Sequence, residues 1–329
     1  MSQPTFLKSS LKHLTAITQE SHNQQIQAEA IAIWQHYFRP DNPLWKHIVA
    51  KPFRVDGPDG SAHVMAMIDK RLPGKGLVGF FACTTVAAGA QALLKATAWL
   101  KEQPGIVDVY GPINGTITRD YRFNVDDDFQ IPGEPVNPTW YIDAFRQAGF
   151  KVFNRYVSGI AKHYQIFIKF KTMRKPSADY AHITLKPFGT GKQIDDLKTY
   201  HKLMNEIFPH NSIYCPVLSW EERLYNVSNH QPLFDPQYSF FLEDNGKAIG
   251  FIVAYPYQQK LIVKTIGLLP QYRKKNLSGM LIKKVHDQAE KDGLSAAVYS
   301  TIRVGNAVYR MKRPGVKIYR RYVTLHKAL

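Results

Sequence analysis

The sequence predicts an α/β protein of mixed α+β character. Two domains stand in tandem, each a mixed, mostly antiparallel sheet flanked by helices. Three observations carry this. The chain has 329 residues, 44% of them hydrophobic. That is longer than one typical domain and apolar enough for buried cores. Two similar passes of helices and strands, 1–170 and 179–329, lie either side of a short basic segment. The second pass runs strand, helices, three strands, helix, strand, helix, strand. Hairpins combined with one crossover require a mixed sheet with helices on both faces.

Residues 1–24 are polar, with scattered Ser, Thr and His, and are expected to be partly mobile. A helical pattern rich in Ala and Ile covers 25–37, with Trp34 on its apolar side. Ala62, Val64, Ala66 and Ile68 alternate through a strand at 61–69, and 76–85 is a second β-rich run. Ala90, Leu93, Leu94, Ala98 and Leu100 mark one side of a helix at 87–103, ended by Pro104 and Gly105. A short buried strand at 106–110, a helix at 140–148 stopped by Gly149, and strands at 151–162 and 164–170 complete the first pass. Residues 171–177 are basic, mostly polar and stopped by proline, and read as the linker.

The second pass opens with a strand at 182–187. Leu197, Tyr200, Leu203, Met204 and Ile207 recur at helical spacing over 194–208, and 220–227 gives a shorter helix. Strands follow at 238–242, 248–255 and 261–269. Leu277, Leu281, Val285 and Ala289, at steps of four, define a helix over 277–292 that Gly293 ends. A strand at 296–302, a short helix at 306–311 and a strand at 317–326 close the chain.

Composition narrows the function. The formal charge of +17 favours an anionic partner: nucleic acid, an anionic membrane surface, a CoA-type cofactor or an acidic carrier protein. No apolar run reaches membrane-span length, and the start shows no charged-then-apolar signal segment. Cys83 and Cys215 read as buried free thiols in a reducing, cytoplasmic setting. No His/Cys cluster has metal-ligand spacing, so no metal is expected.

The chemistry concentrates where the β-branched run 261–269 feeds a polar loop that opens a helix. A helix start offers backbone N–H groups without intrahelical partners and partial positive charge, a cradle for pyrophosphate. Arg273, Lys274 and Lys275 add full charges. A solvated, capped basic turn is the alternative.

This loop, with the order of elements around it, resembles the GNAT-type N-acyltransferases. The family's loop reads Gln/Arg-x-x-Gly-x-Gly/Ala; here it is Arg273-Lys274-Lys275-Asn276-Leu277-Ser278. Asn276 replaces the middle glycine, and Asn tolerates left-handed backbone better than other residues with a side chain. The resemblance covers about 179–329 well and the first half faintly. There the turn Thr85-Val86-Ala87-Ala88-Gly89 lacks the Arg and the cradle pattern, so the N-terminal half reads as a degenerate copy. The segments 111–115 and 137–150 also resemble tandem GNAT-like bacterial proteins.

The resemblance implies an acyltransferase that moves an acetyl or longer acyl group from acyl-CoA, or from an acyl-carrier protein, to an amine of a small molecule or peptide. It places the pyrophosphate on Arg273, Lys274, Lys275, Asn276, Leu277, Ser278 and Gly279, and the pantetheine arm on Gly267, Leu268 and Leu269. Asn306 either positions the pantetheine or caps its helix. The amine must lose a proton and the leaving thiolate must gain one. Tyr309 is the candidate acid, although aligning on Gly315 puts Met311 at that place. Glu222 is the candidate base; Glu221, Glu222 and Asp244 read otherwise as solvated charges. Asp120, Asp126, Asp127, Asp128 and Glu134 form an acidic loop that suits a cationic amine or merely balances Arg119 and Arg122. A non-catalytic basic module of the same fold is the alternative. It would bind nucleic acid through the C-terminal basic run, with Tyr319 and Tyr322 as stacking residues.

Overall fold

The computed structural model describes residues 4–116, 121–126, 130–164, 178–189, 193–209, 213–228, 234–306, 309 and 315–329. The chain forms two compact units. Unit 1 comprises Met1–Tyr156, Ile213–Pro216 and Arg320–Leu329; unit 2 comprises Val157–Ser212 and Val217–Tyr319. The expected ranges 1–170 and 179–329 differ from these units at residues 157–170, 213–216 and 320–329. The last ten residues join unit 1 because backbone pairing puts them there: Leu325 to Ala328 lie antiparallel against Gly111 to Asp108. The expected linker at 171–177, and most of the expected strand at 164–170, lie outside the described residues.

Unit 1 contains α1 (Pro4–Ser21), α2 (Gln24–Tyr37), β1 (Ile48–Gly57), β2 (Gly60–Asp69), β3 (Lys75–Cys83), α3 (Val86–Lys101), β4 (Asp108–Gly111), β5 (Phe123–Asn124) and α4 (Tyr141–Gln147). It also takes the start of β6 (Lys151–Ala161) and most of β12 (Val316–Ala328). Strands β1, β2 and β3 pair antiparallel, and α3 carries the chain across to β4, parallel to β3.

Three elements of this unit are absent from the sequence reading: the two-residue β5, α1 and β1. Residues 4–21 are helical rather than a mobile lead-in, because Leu7, Leu14 and Ile17 form a thin buried seam along an otherwise polar helix. Strand β1, with Lys51 and Pro52 in its middle, pairs with β2 and stands at the start of the strand order, where proline is tolerated.

Unit 2 repeats the plan. It contains β7 (Thr184–Pro187), α5 (Gln193–Ile207), α6 (Trp220–Ser228), β8 (Phe240–Asp244), β9 (Lys247–Tyr257), β10 (Lys260–Leu268), α7 (Leu277–Lys291) and β11 (Ala296–Arg303). Strands β7 to β10 pair antiparallel in order, and α7 crosses over to β11, parallel to β10. Leu277, Leu281, Val285 and Ala289, the stripe read from sequence, are all fully buried in this unit's core.

The same local irregularity marks the strand that precedes the crossover helix in each unit. In unit 2 the β10–β11 ladder ends at Val263 and Tyr299, and a bulge at Lys264 interrupts β10 against β9. In unit 1 the β3–β4 ladder ends at Leu77 and Tyr110. The β2–β3 register then shifts opposite Phe80, whose φ is 45°.

The two units treat the resulting gap differently. In unit 1 the chain returns to β3 just after β4. The Ile113 N–H donates to the Val78 carbonyl at 2.8 Å, and Asn114 Oδ1 accepts from the Phe80 N–H at 2.6 Å. The fit leaves no room for a side chain at Gly79, where a Cβ would lie 2.0 Å from the Ile113 oxygen.

Two predictions follow from unit 1. Gly79→Ala should lower stability by at least about 2 kcal/mol, read by denaturant or thermal melting, because the obstructing atom is backbone. Second, burial pushes His63 down from 6.5 to about 3 and His22 from 6.5 to about 4. The unfolded chain therefore takes up these protons first. Their contribution is whole above pH 6.5 and is lost as pH falls towards the folded values, roughly 2 kcal/mol per histidine at pH 5. A melting temperature level from pH 7 to pH 5 would contradict this.

Candidate cofactor-binding site

In unit 2 the ladder between β10 and β11 stops part-way along both strands. Beyond Val263 and Tyr299 the two strands run on, to Leu268 and Arg303, without the ladder between them. Gly267 is where α5 comes close: a Cβ there would touch Ile207 at 3.2 Å. Thr301, just past the parting, has a φ of 51°, and its N–H donates to Ser158 Oγ at 3.0 Å. A β-branched residue with positive φ is strained, and the Ser158 bond holds it.

The loop that follows β10 is tied to the sheet at its start. The Leu269 N–H donates to the Ile249 carbonyl at 3.0 Å, and Pro270–Tyr272 form one 3₁₀ turn. Arg273 folds back, its Nε donating to the Leu268 carbonyl at 3.2 Å. Lys274 and Asn276 are both left-handed, with φ of 66° and 59°. Asn276 thus takes the conformation a glycine would supply at that place, and its short polar side chain makes it affordable.

Asn276 makes no side-chain cap to α7. The first-turn N–H groups of Leu277, Ser278 and Gly279 have no carbonyl four residues back within the helix, and the dipole of a fifteen-residue helix adds to them. The Gly279 N–H turns to the Asn276 carbonyl at 3.0 Å. Lys274 is exposed, whereas Lys275 Nζ lies over the rings of Tyr180 and Tyr272, at 4.8 and 5.7 Å from their centroids.

The corresponding helix of unit 1 starts otherwise. Thr85 Oγ1 accepts from the Ala88 N–H at 3.2 Å, a side-chain cap that the start of α7 lacks. With Ile113 and Asn114 already bonded to β3, unit 1 has neither an open strand edge nor an uncapped helix start at this place.

The acidic candidates are engaged in structure. Glu222 is buried, at 2% exposure, and forms a capping box at the start of α6. Its Oε2 accepts from the Ser219 N–H at 2.7 Å, and Ser219 Oγ accepts from the Glu222 N–H at 3.2 Å. It is therefore not a solvated charge, and the Ser219-x-x-Glu222 spacing is the sequence signal for this; Glu221 beside it is exposed.

Asp244 is likewise no free surface charge. Its Oδ2 accepts from the Tyr272 hydroxyl at 2.6 Å and its Oδ1 from His182 Nε2 at 2.9 Å. The bond from Tyr272 holds the Asp244 carboxyl below its ordinary range, and the same bond pushes the Tyr272 phenol up.

Of the acidic loop, Glu134 is fully buried, its carboxylate 3.6 Å from Arg320 Nη1, and Asp126 pairs with Arg321 at 3.3 Å. Asp120, Asp127 and Asp128 lie outside the described residues. Arg122 stacks on Tyr121 and Tyr156, at 3.8 and 4.5 Å, and Arg119 is outside the described residues. Arg320 is itself buried and donates to Asn124 Oδ1 at 2.7 Å. Tyr322 is fully buried and presents no ring face for stacking. Past the end of β11, Asn306 Oδ1 accepts from the Tyr309 N–H at 2.7 Å, and Tyr309 is 40% exposed. Met311 lies outside the described residues. Among the described residues no group of three or more His, Cys, Asp or Glu could hold a metal, and no helix is long and apolar enough to cross a membrane.

The sequence model of the Acetyltransferase (GNAT) family matches residues 198–311, the span from α5 through the loop to beyond β11. No curated protein matches the chain.

Among solved structures, a tandem GNAT protein from the clavulanic acid biosynthesis pathway superimposes over 98% of this chain and 95% of its own, with a TM-score of 0.51 at 9% identity. A probable N-acyltransferase of Enterococcus faecalis V583 covers 98% of this chain and 70% of its own, with a TM-score of 0.54 at 11% identity. A GCN5-related N-acetyltransferase of Kribbella flavida covers 98% and 69%, with a TM-score of 0.54 at 8% identity. At these identities the likeness is one of fold.

Asn276 offers a direct test of the loop. Asn276→Gly should leave stability within about 1 kcal/mol of the parent, whereas Asn276→Val, β-branched at a φ of 59°, should cost about 1–2 kcal/mol in chemical denaturation. Equal stabilities for the two variants would mean that the loop does not hold this conformation.

Proposed function

We propose that this chain, GNAT-like in fold and carrying the family's match in its C-terminal half, transfers an acyl group from acyl-CoA to the amine of a small molecule or peptide. One observation carries the reading. Within unit 2 a parallel pair parts after Val263 and Tyr299, beside a helix whose start is uncapped and flanked by Arg273 and Lys274. A pyrophosphate suits the first-turn N–H groups of Leu277 and Ser278, with that of Gly279, bonded to the Asn276 carbonyl, beside them. The edge of β10 from Thr265 to Leu269 suits the amides of a pantetheine arm, which need the same backbone partners as a neighbouring strand.

Transfer then asks for a neutral amine beside the thioester and a proton for the departing sulfur. Tyr309 is the acid we assign, with Asn306 Oδ1 accepting from its N–H. Glu222 spends its carboxylate on the cap of α6, so we assign the amine's proton to water and not to Glu222. Unit 1, closed at the same place by Ile113 and Asn114, takes no cofactor, and one acyl-CoA binds per chain.

The charge of +17 favours a second donor, an acidic acyl-carrier protein presenting the same pantetheine arm. It also supports a second reading, a non-catalytic basic module of the same fold.

Thermal shift separates these. A CoA species at ~100 times its dissociation constant should stabilise the protein by roughly 2.7 kcal/mol. The shift should vanish in Arg273→Glu, which reverses the charge and removes the tie to the Leu268 carbonyl. Acetyl-CoA, longer acyl-CoAs and free CoA rank the acyl length. No shift with any of them, together with nucleic-acid binding that falls steeply with salt, would replace acyl transfer by the binding module.

A further inference from the structure

We propose that Asp244 is a positioning residue for the anion-binding loop 273–279, acting through the hydroxyl of Tyr272. The proposal rests on the acyl-CoA reading and adds the device that keeps that site in shape.

The loop needs such a device. It holds Lys274 and Asn276 in left-handed backbone, a conformation that costs energy for any residue with a side chain. Asn276 does not tie itself to the helix with its side chain. Order must therefore be imposed from outside the segment.

Tyr272 supplies it from the position just before the loop. Its hydroxyl reaches the last residue of β8, where Asp244 Oδ2 accepts at 2.6 Å. Asp244 is fixed in turn: Oδ1 accepts from His182 Nε2 and from Asn245 Nδ2, both at 2.9 Å. The acceptor thus stands at the β8–β9 hairpin, a rigid element that belongs to the sheet and not to the loop.

The ring of Tyr272 works at the same time, lying under the Lys275 ammonium at 5.7 Å while Tyr180 lies under it at 4.8 Å. One tyrosine therefore ties the loop's start to the sheet and steadies a residue in its middle. Arg273, bonded to the Leu268 carbonyl, pins the segment between them. A phenol donating to a carboxylate is among the stronger hydrogen bonds available to side chains. Asp244 touches no part of the proposed ligand site; its effect passes through Tyr272.

The test uses the full chain and three single variants. Tyr272→Phe removes the hydroxyl and keeps the ring over Lys275. Asp244→Ala removes the acceptor. Asp244→Asn keeps an acceptor oxygen without its charge. Hydrogen exchange at the amides of Leu277, Ser278 and Gly279, measured without ligand, should speed up about tenfold in Tyr272→Phe and Asp244→Ala. Asp244→Asn should fall between these and the parent. The double variant Tyr272→Phe/Asp244→Ala should exchange no faster than Asp244→Ala alone, because Asp244→Ala already removes the bond that Tyr272→Phe deletes. The dissociation constant for CoA should rise in the same order, with little change in melting temperature.

Unchanged exchange at 277–279, additive effects of the two substitutions, or loosening spread through the whole of unit 2 would each overturn the proposal. If the parent protein binds no CoA while exchange follows the stated order, the acyl-CoA reading falls and the positioning role stands. If the parent binds CoA and the variants bind it equally well with unchanged exchange, the positioning role falls and the reading stands.

Discussion

A β-strand that loses its neighbour part-way along must find other partners for its backbone, and this chain meets that constraint twice. In unit 1, β3 is parted from β4 after Leu77, and the chain itself fills the place, with Ile113 and Asn114 bonding to Val78 and Phe80. In unit 2, β10 is parted from β11 after Val263, and the edge is left for something else. The rest of the functional argument depends on this difference. The bulge at Lys264, the strained Thr301 held by Ser158, and the uncapped start of α7 all lie around the open gap. The self-capped start of α3 lies beside the closed one. Two copies of one plan thus diverge by what sits against a short length of strand.

The distribution of charge supports the same division of labour. Several groups that stand out in the sequence are spent internally. Arg320 and Glu134 meet inside unit 1, and Glu222 closes a helix cap. A buried ion pair of this kind is weak evidence for stability, since both ions lose their water. It does remove Arg320 from any account of how the protein meets an anionic partner. What remains near the open gap is a small set: Arg273 tied to a carbonyl, Lys275 over two rings, and Lys274 exposed. An anion arriving there meets a loop whose backbone is already in place.

Much of the fold was legible because its signals are local. The stripe Leu277, Leu281, Val285 and Ala289 gave α7 by spacing alone, and every member is buried. Asn276 stood where a glycine would be expected, and its φ of 59° is the reason a short polar residue serves there. Helix α1 was missed because its buried seam is thin, and β1 because a strand with Lys51 and Pro52 in it lacks the alternation of a half-buried one. The Ser219-x-x-Glu222 spacing carries its capping box in the sequence itself.

By itself, then, the sequence determined the two passes, the strand–loop–helix at 261–292 and the left-handed tolerance of Asn276, since periodicity, caps and backbone sterics act over a few residues. Only the tertiary structure decided which gap is open, that the last strand returns to pair with β4, and what the carboxylates do. Arg320 and Asn124 are 196 residues apart in sequence, and Asp244 and Tyr272 are 28 apart. No local pattern specifies which distant group will satisfy a buried or half-buried polar atom. That choice is made when the sheets assemble and every donor and acceptor removed from water must be paired.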